Sequence, residues 1–474
     1  YVYLEFLILA CTIYILAPEG VNIHMLYKIP TYMLPKEKEE TWLTENEGDG
    51  ILALDEDGRK VCVPVDPSTN TLITGVTGTG KTSSFTVQAA KLMLKTHKDM
   101  KAVFFEIKDT FLKECFERGD KIISYDGAGI DKNALFRWNL IKEIRQAENK
   151  EAEMKKIADF LFRELLDGAA QNRAWVETAR NLFVAVMRTM VYGCQKNTSN
   201  YSLINSLRTK SIGETLKFIS AHPRNQSILK EFNYDGKKKP EDYVPSRRAE
   251  DVFFFLSKIL EKFGGAFEAS DGDDTMHDFL HNPKQKMFIL YDLKTSESSR
   301  DFILYFLKKI KDEKMSNTSN LKHIPLLLCL DEVDKLSEGS LTADFGLFQI
   351  VELGREYNIV VLLATQSIEN LYALSEKYNT HRADGSLAGF QVLLSFRTGD
   401  RKTLETLQVL YGSEYKEHII LPVSRYDKPH IQSEYRPIVS ELEFTSLKTG
   451  EAYIKFKHYR PKKVRFLLDR KGVV

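Results

Sequence analysis

What the chain lacks narrows its chemistry first. Its five cysteines (Cys11, Cys62, Cys115, Cys194 and Cys329) are scattered, with no CxxC pair and no histidine at metal-ligand spacing. That argues against a disulfide framework or zinc cluster and predicts reduced thiols, with Cys329 buried in an apolar run. The ten histidines form no HExxH, and no GxSxG turn offers a nucleophile. Charge of one sign is missing as well, since 67 basic and 66 acidic side chains nearly cancel. A nucleic-acid partner would therefore have to be met by a local patch or loop, because no global basic field exists. Internal repeats and low-complexity tails are absent.

Long hydrophobic runs are scarce, with one exception. Tyr1–Ala17 carries Glu5 as its only charge and breaks at Pro18. A full membrane span needs about 20 such residues. Lys28, Lys36 and Lys38 follow, a mild positive-inside signal. The reading adopted for residues 1–18 is the end of a truncated transmembrane helix, with the remainder cytoplasmic. A buried core helix or a leftover signal sequence is the alternative.

What is present is a set of short, β-branched apolar runs. Val61–Val65, Thr71–Thr74, Lys101–Ile107 and Ile122–Asp126 read as strands, and so do Met287–Leu293, Pro325–Asp331, Asn358–Gln366 and Phe390–Phe396. Near-continuous apolar strands separated by helical stretches predict an α/β fold with a mostly parallel sheet covered on both faces. Between the two sets the period changes. Trp175, Ala179, Leu182, Phe183, Val186, Met187 and Met190 follow helical spacing, as do Val252, Phe255, Leu256, Ile259, Leu260 and Phe263. Shorter helical candidates cover "KIADFLFRELL" and "SIGETLKFIS". No strand is expected over roughly Lys150–Asn282, and Tyr234–Arg248 is expected to be a polar surface loop. The expected division is residues 19–148 and 284–474 for one nucleotide-binding domain, with 149–283 inserted as an all-α domain.

The chemistry sits at the strand ends. Gly75-Val76-Thr77-Gly78-Thr79-Gly80-Lys81-Thr82 satisfies GxxxxGK[ST] between a strand and a helix, the context that makes it a phosphate loop. The glycines let backbone N–H groups turn inward around phosphate oxygens at a helix N-terminus. With Ser83, the residues Gly75, Thr77, Gly78, Thr79, Gly80, Lys81 and Thr82 are the candidate ATP contacts. Lys81 would neutralise the β- and γ-phosphates, and Thr82 would reach Mg²⁺. The run Pro325–Asp331 then delivers adjacent carboxylates to the carboxyl edge of the sheet. Asp331 is expected to hold Mg²⁺ through water and Glu332 to polarise the attacking water. Gln366, at the end of the next apolar strand, is the candidate γ-phosphate sensor; the alternative is a plain helix cap. Arg355 and Arg397 are candidates to supply positive charge to a γ-phosphate, Arg355 preferred and from a neighbouring subunit; a surface ion pair is the alternative for either.

Thr82 and Asp331 are 249 positions apart, far more than a compact phosphate-loop domain needs. At this point the chain resembles the conjugative type IV secretion coupling proteins of the TraD and TraG kind, relatives of the FtsK and HerA DNA translocases. The resemblance rests on the hydrophobic start, "GVTGTGKT", "VFFEIKD" and the Trp-Asn segment in "ALFRWNLIKEI". It continues through "NRAWVETARNLF", "LLLCLDEVDKL", "ELGREYNIVVLLATQS" and "VLLSFRTGD". It implies a RecA-like domain forming a homo-hexameric ring at the inner membrane. That ring would hydrolyse ATP to pass DNA, gripped by its backbone, and an attached relaxase to the secretion channel. Effector proteins are the other cargo class. Two departures stand out. Only one incomplete hydrophobic segment is present where the family typically has two, and Glu106 then Asp109 stand where the family often carries an Asp; no catalytic role is assigned there. Another ring translocase, a secretion ATPase, a protein remodeller or a nucleotide-binding docking platform without motor activity are the competing readings.

Overall fold

The computed structural model describes residues 42–43, 50–169, 171–193, 198–282, 285–316, 320–337, 344–372, 374, 387–420 and 430–467. The expected membrane segment at 1–18 lies outside the described residues. Among those described, no helix is long and apolar enough to cross a membrane.

All eight runs read as strands from their apolar content are strands. They are β2 (Lys60–Pro64), β3 (Thr71–Thr74), β4 (Lys101–Glu106), β5 (Lys121–Ile123), β6 (Met287–Leu290), β7 (Leu326–Asp331), β8 (Ile359–Thr365) and β9 (Val392–Ser395). Five more were not anticipated: β1 (Gly50–Leu54), β12 (Glu451–Phe456), β13 (Lys462–Phe466), and the hairpin strand β10 (Ser413–Ile420) with its partner β11 (His430–Pro437) as a separate sheet. The main sheet has eleven strands in the order β2-β1-β13-β12-β9-β3-β8-β7-β4-β6-β5. From β9 to β5 every pairing is parallel, and from β9 to β2 every pairing is antiparallel.

Side-chain alternation splits the core into two. Val103, Phe105, Leu328, Leu330, Val361 and Leu363 point to one face, where they pack with the long helix Ser296–Lys314 and the helical block. Phe104, Leu327, Cys329, Leu362 and Ala364 point to the other, against the helix Val87–Thr96 that follows the phosphate loop. Because both faces are covered, these strands are buried throughout and read as continuous apolar runs. Between β5 and β6 the described residues carry helices and no strand, the longest being Lys150–Gly168, Arg173–Tyr192 and Arg247–Lys262. Cys62, Cys115 and Cys329 are buried and form no disulfide among the described residues, and the burial of Cys329 is as expected.

Candidate functional site

Register brings the chemistry to one edge. Ile73 stands opposite Ala364 and Ala364 opposite Asp331, while Phe105 and Leu330 pair one step earlier in the neighbouring ladder. The ends of β3, β8, β7 and β4 therefore finish level at the carboxyl edge, and the groups beyond them share one mouth. Adjacent parallel strands lie about 4.8 Å apart, so a ligand a few ångströms wide touches several at once. A cavity of about 200 Å³ opens there, lined by Val76, Thr77, Gly78, Gly80, Lys81, Thr82, Ser83, Ile107, Lys108, Thr110, Asp331 and Glu332.

The phosphate loop needs its glycines at two positions in particular. Gly75 and Gly80 adopt φ of 146° and 99°, in the region that disfavours L side chains. A Cβ at Gly75 would lie 2.7 Å from the Phe396 Cβ, and at Gly80 2.5 Å from the Ser84 Oγ. The antiparallel strands back this loop: the Gly450 N–H donates to the Thr79 carbonyl (3.0 Å), and the Val76 N–H to that of Arg397 (2.9 Å). Lys81 is nearly buried, and its Nζ donates to the Gly75 carbonyl and, at 3.4 Å, to that of Val76. Burial lowers its pKa, partly offset by Asp331 and Glu332.

Thr82 Oγ1 donates to Asp331 Oδ2 at 3.0 Å across those 249 positions. Asp331 Oδ1 is buried without a hydrogen-bond partner. Burial, with repulsion from Glu332, pushes the Asp331 carboxyl up to about 6, while Thr82 and Lys81 pull the other way. An orphaned carboxylate oxygen beside a threonine hydroxyl, both hard oxygen donors, fits Mg²⁺.

Glu332 adopts φ of 56°, unusual for a residue other than glycine. Its N–H bonds the Ala364 carbonyl (2.8 Å), and its Oε1 accepts from Gln366 Nε2 at 2.6 Å. Backbone outliers of this kind cost about 1–3 kcal/mol and collect at functional sites. Gln366 is thus brought to Glu332, not turned away to cap the next helix. Beside them Asp334 accepts from Thr365 Oγ1 (3.2 Å) and Asn370 Nδ2 (3.3 Å), which fixes the turn after β8.

Arg355 is not brought to this edge. It sits exposed in the turn Gly354–Tyr357 ahead of β8, and the seven residues of that strand put roughly 20 Å between it and the phosphate loop. Arg397 is at the correct edge and exposed, with its backbone on the loop. Lys108 was missed from the sequence, because one lysine after a strand carries no pattern; only the register places it in the cavity. Glu106 turns inward, accepting N–H bonds from Phe111 (2.7 Å) and Leu112 (2.8 Å). That caps the helix Thr110–Cys115.

A profile of the type IV secretion-system coupling protein DNA-binding domain matches residues 61–466. The chain belongs to the type IV secretion-system coupling proteins. The bacterial conjugative coupling protein TrwBdeltaN70, in its unbound monoclinic form, is similar at a TM-score of 0.63 and 17% identity, covering 90% of each chain. TrwB in complex with ADP and Mg²⁺ gives a TM-score of 0.60 at 18% identity, covering 86% of this chain and 88% of that one. VirB4 of Thermoanaerobacter pseudethanolicus gives 0.51 at 14% identity, covering 90% and 99%. A search of curated protein sequences finds no match.

Proposed function

We propose that this coupling protein is an ATPase that uses hydrolysis to pass DNA, with its relaxase, into a type IV secretion channel. It works as a homo-hexamer at the inner membrane, with residues 149–283 as a helical domain facing the substrate. The observation that carries the reading is the pairing at one sheet edge of Thr82 with Asp331 and of Glu332 with Gln366. The first pair fits a metal; the second pair joins a water-activating carboxylate to an amide that can sense a γ-phosphate. The family membership and TrwB's complexes with a non-hydrolysable ATP analogue and with ADP and Mg²⁺ support it.

In this reading the loop N–H groups from Thr77 to Thr82 orient the phosphates and Lys81 leaves its carbonyl partners to neutralise them. Thr82 and Asp331 would hold Mg²⁺, which would supply charge neutralisation at the phosphate oxygens. Glu332 orients a water, and Gln366 moves with Glu332 when that water is consumed. The turn before β8 offers Arg355 to the next subunit. DNA would be gripped by its phosphates, so affinity should fall steeply with salt. The test is ATP turnover by the chain with and without single- and double-stranded DNA. Strong stimulation by DNA, lost in Glu332→Gln, supports the motor. Turnover that DNA leaves unchanged favours protein cargo, and nucleotide binding with no turnover under any condition favours a docking platform.

A further inference from the structure

The described chain offers a γ-phosphate one cation from the phosphate loop, Lys81. Arg355 stands at the opposite sheet edge. A triphosphate's terminal group carries concentrated negative charge, and nucleotide sites that distinguish it from a diphosphate usually meet it with a second donor. Lys108 occupies the place where such a donor would have to be.

Four observations converge on it. Lys108 lines the same cavity as Lys81, Asp331 and Glu332, two residues past the end of β4. It approaches from the β4 side, beside Glu332, whereas the loop backbone wraps the inner phosphates from the β3 side. It is exposed, and its ammonium makes no hydrogen bond or ion pair among the described residues, although its neighbour Asp109 pairs with Lys113 (2.9 Å). Finally, its loop is held on both flanks. Glu106 accepts from the Phe111 and Leu112 N–H groups, and Phe111 is fully buried and stacked on Phe104 with ring centroids 5.2 Å apart. A lysine on a fixed loop loses less entropy on contact than one on a free loop. The charge of Lys108 already weighs on both Lys81 and Asp331, which places it within electrostatic reach of the metal and phosphate positions.

We infer that Lys108 contacts the γ-phosphate and lets this site tell a nucleoside triphosphate from a diphosphate within a single chain. The inference rests on the ATP reading above. Glu106 is then the residue that positions it, by locking the loop to the helix Thr110–Cys115.

The experiment measures affinity of the full chain for a non-hydrolysable ATP analogue and for ADP, each with Mg²⁺, in the wild type and in Lys108→Ala and Lys108→Arg. Loss of one charge-assisted contact should weaken the analogue by about tenfold or more in Lys108→Ala. ADP affinity should stay within about twofold, which also shows that the variant is folded and its phosphate loop intact. Lys108→Arg should recover most of the analogue affinity. Equal loss for both nucleotides, or no loss for either, overturns the γ-phosphate assignment while leaving the ATP site standing. If the wild type binds neither nucleotide, the functional reading itself fails.

Discussion

Lys81 and Lys309 are both buried among carboxylates, and they are treated in opposite ways. Lys81 faces two carboxylates, donates only to backbone carbonyls, and is depressed by burial; next to it an oxygen of Asp331 has no partner. Lys309, on the helix Ser296–Lys314, meets Glu153 (3.0 Å), Glu313 (2.9 Å) and Glu143 (3.8 Å). Burial would lower Lys309 too, yet these carboxylates raise it. Around it the polar atoms are used: Tyr305 donates to Glu153 (2.6 Å), and Glu143 accepts from the Met276 N–H (2.7 Å) and Trp138 Nε1 (3.2 Å). The second cluster joins the Trp-Asn segment, the helical block and the sheet-covering helix. A completed network specifies architecture, while an incomplete one at a sheet edge leaves room for a ligand.

Mutation should separate the two. Lys81→Ala is expected to lower ATP turnover by about 10²–10³-fold or more, since it removes a preorganised charge from the transition state, with little change in thermal stability. Lys309→Met should do the reverse. It strands Glu143 and Glu153 in the interior, where breaking a buried pair costs about 3–5 kcal/mol, so denaturant midpoints fall markedly. Turnover per folded molecule should hold. Calorimetry alongside steady-state kinetics reads both, and a Lys309 variant of normal stability would remove the contrast.

pH sharpens it further. The Asp331 pKa lies near 6, above the ordinary carboxylate value, so from about pH 4 to 6 the folded state keeps a proton that the unfolded chain has lost. Stability from this group is therefore present at low pH and lost as pH rises through that window. Asp331→Asn should stabilise the metal-free protein at pH 7.5 by about 3 kcal/mol, the size of such a shift, and give no gain near pH 4. A melting-temperature gain of equal size at both pH values would contradict the origin assigned to it. Mg²⁺ should erase the gain by stabilising the charged wild-type carboxylate.

How much of this could be read in advance depended on burial. β3, β4, β7 and β8 are covered on both faces, so their apolar runs are unbroken and their end residues, Asp331, Glu332 and Gln366, could be named. β1 and β12 have one face toward solvent, with alternating burial. Their signal is period-two and diluted by Lys, Glu and Gly, so the antiparallel half of the sheet went unread, and with it the Gly450 brace on the phosphate loop. Lys108 was invisible for another reason. Its significance comes from the register of β4 against β7, a pairing between residues more than 200 positions apart that no local pattern encodes.

The smallest signal tests whether the one site that looks incomplete in a single chain is completed by another. Arg355 precedes β8 and the phosphate loop follows β3, so the same strand length that removes it from its own site leaves it exposed on the far edge. Arg355→Ala should bind nucleotide as the wild type does and still turn over slowly. Lys81→Ala cannot hydrolyse but keeps its arginine. Mixed in equal amounts, the two impaired chains should recover activity, because some rings then place an intact Lys81 beside a neighbour's intact Arg355. Random assortment in a closed ring makes about a quarter of the interfaces competent, so recovery to roughly that fraction of wild-type turnover is expected. Recovery near zero, with both variants shown to assemble together, would mean that Arg355 does not act across the interface, and wild-type turnover by Arg355→Ala alone would make it a surface residue and leave the reaction to the chain's own cations.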